Sequence, residues 1–134
     1  MTPDELLRKE AAKWLRQAAK DQHAGQVLLE PEPSRSVFHS QQAAEKAAKA
    51  FLTFRQIPFR KTHDLTDLGS QCVSADPSLE PILREVANLT DYASAFRYPD
   101  EPYEPDAAEA AGALAIATRL GHEIRRRIEG ATEP

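Results

Sequence analysis

The 134-residue chain predicts an all-α fold, an up-and-down bundle of four long helices and one short helix. Three observations carry that expectation. Apolar residues recur at the spacing of a helix face along several long stretches. No stretch alternates apolar and polar residues over the length of a strand. Prolines and capping residues cut the chain into pieces of helical length joined by short loops.

Thr2-Pro3-Asp4-Glu5 reads as a capping box with proline in the first helical turn. The helix it starts carries Leu7, Ala11, Trp14, Ala18, Asp21, Gly25 and Leu28 on one seam, and Pro31 and Pro33 should end it near Glu30. A second helix is expected from about Ser34 to about Gln56, before Pro58. A short third helix follows Asp64, a plausible cap, and reaches about Gln71. The fourth starts around Ser78, tolerates Pro81 in its first turn and uses Ile82, Val86, Leu89, Ala93 and Phe96 as its seam. Tyr98-Pro99 should end it, because a residue before proline is pushed out of the helical region. Pro99, Pro102 and Pro105 stiffen the next connector. The last helix opens at Asp106 with Glu109, buries Ala110, Ala113, Ala117, Leu120, Ile124 and Ile128, and stops at Gly130.

Length and composition fit a single domain over residues 1–134, with 41% hydrophobic and 28% charged residues. No apolar run approaches the roughly 20 residues of a membrane span, and the charged start MTPDELLRKE lacks a signal-peptide stretch. A cytoplasmic protein without membrane association is therefore expected. Cys72 stands alone, which excludes an intrachain disulfide and a cysteine-cluster zinc site and suggests a small buried thiol. Lys20, Ser36, Arg60 and Arg119 precede the four histidines by three positions, so the glutamate–histidine pairs of a di-iron bundle are missing. Neither a metal nor a cofactor is expected.

The formal net charge of −4 argues against a general nucleic-acid binder. Its distribution is uneven. Lys46, Lys49, Arg55, Arg60 and Lys61 form a run without acids, and Asp100, Glu101, Glu104, Asp106 and Glu109 form one without bases.

The second helix carries polar groups where a packing face should be apolar. Phe38, Gln41, Glu45, Ala48 and Leu52 form one row, beside Val37, Ser40, Ala44, Ala47, Phe51 and Phe54. Gln41 and Glu45 must find partners if buried, so they build an internal network or line a site.

Three segments, FHSQQAAEKAAKAFL, KTHDL and YASAFRYPDE, resemble in order and spacing the HEPN domains (higher eukaryotes and prokaryotes nucleotide-binding). The likeness covers residues 5 to 128. It implies a helical bundle, usually a homodimer, that often works with a separately encoded minimal nucleotidyltransferase in toxin–antitoxin, defence or RNA-processing systems. Some relatives are metal-independent ribonucleases with an arginine and a histidine four to six residues apart in the last long helix. Here Arg119 and His122 have two residues between them, and Arg16 and His23 lie in the first helix, so that motif is not matched.

The ligand-binding candidates are Lys61, His63, Arg97 and Asp100, with Gln42 and Lys46 second. His63 sits between a basic loop and a helix start, where backbone N–H groups favour a phosphate of a nucleotide or RNA. Alternatively Thr62 or Asp64 caps that helix and His63 packs on a neighbour. Arg97 could grip a phosphate or pair with an internal acid such as Glu45 or Asp21. His39, Gln42, Lys46 and Lys49 share another face, solvated or forming a basic rim. Arg125, Arg126 and Arg127 complement the dipole of the last helix. The expected function is nucleotide or RNA-phosphate binding with a nucleotidyltransferase partner. The alternatives are a ribonuclease toxin using His63 and Arg97, or a pure protein-interaction module.

Overall fold

The computed structural model describes residues 1–96 and 104–130, and for residues 90–96 the backbone alone. Among the described residues five α-helices follow one another: α1 (Pro3–Val27), α2 (Pro33–Phe54), α3 (Leu65–Ala75), α4 (Glu80–Phe96) and α5 (Ala107–Gly130). A 3-10 turn, Pro77–Leu79, leads into α4. The all-α bundle expected from the pattern is what the chain adopts, and no strand occurs among the described residues.

Local chemistry sets most of the helix starts. Thr2 Oγ1 accepts from the Glu5 N–H at 3.1 Å while the Thr2 N–H donates to Glu5 at 3.0 Å, a complete capping box. Asp64 caps α3 by accepting from the Thr66 and Asp67 N–H groups. Asp106 and Glu109 cap α5 reciprocally. Pro33, not Ser34, is the first residue of α2, where its missing N–H is no loss.

The ends depart from expectation by a few residues. α1 gives way at Val27, not near Glu30, because the chain tightens to an i−3 bond (Leu29 N–H to Gln26 C=O) on its approach to Pro31. α2 stops at Phe54 in a Schellman closure: the Ile57 N–H reaches the Leu52 C=O at 2.8 Å and the Gln56 N–H reaches the Thr53 C=O. Gln56 takes the left-handed conformation this needs (φ 58°), at a cost of about 1–2 kcal/mol for a non-glycine residue. α3 runs on to Ala75, past Gln71, until Asp76 adopts the extended conformation required before Pro77.

α2 is the central rod and touches all four other helices. Its alanines at 43, 44, 47, 48 and 50 are buried and let neighbouring helices approach closely, while Phe51 and Leu52 fill the space between them. At Gly25 the backbone of α1 comes close to α2. The Ser36 hydroxyl donates to the Gly25 C=O at 2.6 Å, and a Cβ at Gly25 would meet Leu114 at 3.3 Å. Leu65, Leu68, Leu79, Leu89, Leu120 and Ile124 complete the core. Cys72 lies within it, and burial pushes its thiol up to about 12, so it stays protonated and inert.

Arg127 does more than complement a helix dipole. Its guanidinium donates to Asp76 (2.9 Å), Ser78 (2.9 Å) and Glu123, tying the turn before α4 to the end of α5. Burial alone would depress it, but its hydrogen bonds to Glu123 and Asp76 outweigh that and raise it. The Ser78 hydroxyl, then Arg127, hold Asp76 below the usual carboxylate range. Arg126 and Arg127 do the same to Glu123. A depressed folded pKa adds stability that is complete above the ordinary carboxylate pKa, about 4, and is lost as the pH falls through the folded values. Urea midpoints should therefore drop on acidification below about pH 4, and less steeply in Arg127→Met than in the unaltered chain. Equal slopes in the two proteins would exclude this tie as a source of the pH dependence.

Candidate functional site

α1 and α2 pack antiparallel, and along their seam α2 presents the polar residues that its packing pattern singled out. Helical spacing puts positions 38, 42, 45 and 49 on one face, two turns separating the first from the third. The loop between α2 and α3 folds back over part of that face.

Glu45 is 3% exposed and His63, on the loop, has a side chain 75% exposed. His63 Nδ1 lies 2.9 and 3.2 Å from the two carboxylate oxygens. An ionised carboxylate only accepts, so Nδ1 carries the proton and Nε2 is left at the outer edge of the ring. A buried acid thus orients an exposed imidazole, an arrangement suited to gripping an anion or passing a proton.

One turn along the seam, Asp21 of α1 binds two groups of α2. One oxygen faces His39 Nδ1 at 2.9 Å and the other accepts from the Lys46 ammonium. In the opposite direction Lys49 is buried, 7% exposed, with its ammonium over the rings of Trp14 (5.4 Å) and Phe59 (6.0 Å). Those rings meet edge-on with centroids 6.2 Å apart. Aromatic faces attract a cation, and Phe59 thereby pins the loop that carries His63. A second pin is Gln71, which donates to the Pro58 C=O at 2.9 Å.

The predicted residues fare unequally. His63 and Lys61 are exposed on the loop, and Gln42 and Lys46 are half-buried on α2. Arg97 and Asp100 lie outside the described residues, and with them the expected pairing of Arg97 with Glu45 or Asp21. Those two acids have found His63, His39 and Lys46. The Thr66 and Asp67 N–H groups at the start of α3 are taken by Asp64, which is the capping alternative, and the exposed cations next to His63 in the loop sequence are Arg60 and Lys61. The basic run is not a continuous surface. Lys46 is paired, Lys49 is buried, and Arg55 stacks over Phe51 and donates to the Ala75 C=O.

Phe59 was not singled out by the sequence. Its position just after Pro58, in a loop rich in charge, was the available signal. Arg119 and His122 stand on the wall of a separate cleft of about 480 Å³ between α4 and α5, where Arg119 is paired with Glu85 at 3.0 Å. Among the described residues no group of three or more His, Cys, Asp or Glu side chains is placed to hold a metal ion, and no helix is long and apolar enough to cross a membrane.

Residues 11–127 match the HEPN domain. The chain belongs to the HEPN domain family. The crystal structure of ST0689, an archaeal HEPN homologue, is similar over 88% of this chain and 97% of its own, with a TM-score of 0.70 and 26% sequence identity. Curated protein sequences provide no match. Within this HEPN domain, the Asp21–His39–Lys46 cluster joins α1 to α2 and the Glu45–His63 pair joins α2 to the loop before α3.

Proposed function

We propose that this HEPN domain binds the phosphate of a nucleotide or of RNA at the outer edge of His63. Lys61 supplies attraction, Gln42 and Lys46 flank the site, and Arg97 and Asp100 contribute from the segment after α4. The same reading has the domain act as a homodimer beside a separately encoded minimal nucleotidyltransferase, in a toxin–antitoxin or defence setting. One observation carries the binding site: a carboxylate removed from water is engaged in orienting an imidazole that stands in water. Burying a carboxylate is costly, and a pair that served packing alone would place both partners inside.

The outward Nε2 favours a second reading, a metal-independent ribonuclease in which His63 takes a proton from a ribose hydroxyl. Calorimetric titration with ATP and with short RNA, followed by incubation of the RNA in excess chelator, separates the readings. Binding weakened about tenfold by His63→Ala or Lys61→Ala, the scale of one charge-assisted hydrogen bond, with the RNA left intact, supports the binding domain. Cleavage abolished by His63→Ala makes it the nuclease. Cleavage abolished only by His122→Ala or His23→Ala moves the chemistry elsewhere. Tight binding to a purified nucleotidyltransferase with no affinity for ATP or RNA leaves a protein-interaction module.

A further inference from the structure

We infer that Phe38 is the stacking platform for a nucleobase whose phosphate sits at His63, which makes the ligand class a base-bearing nucleotide or single-stranded RNA. The inference rests on the reading of His63 given above.

Phe38 is 49% exposed, although its row on α2 is otherwise a packing row. Residues 38, 42, 45 and 49 fall on one face of α2. At 45 and 49 the loop covers that face with His63 and Phe59, and both positions are buried. At 38 and 42 the face opens: Phe38 is half exposed and Gln42 half-buried. Two helical turns, about 10 Å, separate Phe38 from Glu45 along the axis. His63 is anchored at the Glu45 end of that interval.

The ring is also braced. His39 meets it edge-on, centroids 5.4 Å apart at 78°, and His39 is fixed in turn by Asp21, which holds Lys46 as well. Single exposed apolar side chains are ordinary on protein surfaces. This one is aromatic, buttressed, and on the face that presents the imidazole. Among the described side chains, the other large exposed apolar ones, Met1, Leu6 and Val27, are aliphatic and lie in or just before α1. Every base offers a π-face, so such a platform holds a base with little sequence preference.

The test is calorimetric titration of the full chain with two probes, AMP and ribose 5-phosphate, in the unaltered protein and in Phe38→Ala, Phe38→Trp and His63→Ala. Phe38→Ala should weaken AMP about tenfold, within the range of one lost base stack, and leave ribose 5-phosphate unchanged. Phe38→Trp should restore AMP binding. His63→Ala should weaken both probes. AMP binding unchanged in Phe38→Ala, or AMP and ribose 5-phosphate bound equally by the unaltered chain, overturns the platform while the His63 effect keeps the phosphate site. An equal loss of both probes in Phe38→Ala also overturns it, because the ring would then be supporting the site and not the base. No effect of His63→Ala on either probe removes the phosphate site itself. Failure of the unaltered chain to bind either probe overturns both.

Discussion

Phe51→Ala should destabilise the fold by about 3–5 kcal/mol, the usual range for truncating a buried aromatic ring. The ring is 1% exposed on the central helix, which touches α1, α3, α4 and α5 along its length. On the preceding turn of α2 its neighbours are Ala47 and Ala48, whose side chains cannot swing into the space it leaves. The Arg55 guanidinium over its face, 5.5 Å from the centroid, would lose its platform as well. For a domain whose total stability is of the order of 5–15 kcal/mol, that loss brings the chain close to unfolding at ordinary temperature. Urea denaturation measures it: the midpoint should fall sharply with the slope unchanged. Lys61→Ala, on the exposed loop, should stay within about 0.5 kcal/mol of the unaltered chain. A loss below about 1 kcal/mol for Phe51→Ala would mean that the centre of the bundle relaxes far more readily than close packing permits.

The sequence revealed those parts of the molecule whose physics is local. Thr2 with Glu5, Asp64 alone, and Asp106 with Glu109 act within one turn, and each caps the helix its spacing announced. The proline stops were legible as stops, but not to the residue. How α1 gives way before Pro31, and how a glutamine closes α2 in the conformation glycine prefers, depends on the path of the following loop. Glu45 and Asp21 were identifiable as acids that needed partners, because helical spacing places them on packing stripes. Their partners were not identifiable. His63 and His39 are each 18 residues from the acid they meet, and no periodicity connects them. Lys49 belonged to a basic run on paper. Its burial is decided by Trp14 and Phe59, one on another helix and one in a loop, and that arrangement exists only once the loop has folded back.

Glu45→Leu should yield a protein that is at least as stable as the unaltered chain and binds its ligand about tenfold more weakly. A carboxylate at 3% exposure has given up its hydration, and its imidazole partner, being mostly in water, returns little. Replacing a buried charge by an apolar side chain of similar size is commonly neutral or stabilising by about 1–4 kcal/mol. The leucine would continue the row that already holds Ala48 and Leu52. The same substitution releases the His63 ring, so the affinity for AMP or short RNA should fall about as far as in His63→Ala, on the order of tenfold. His63→Ala makes the contrast: it leaves the acid buried without its imidazole and should destabilise by about 1–3 kcal/mol. Two variants with the same binding defect and opposite changes in urea midpoint would mark the pair as one retained for its ligand at some expense to the fold. If Glu45→Leu instead unfolds more easily and still binds, the acid serves the bundle and the imidazole needs no holding.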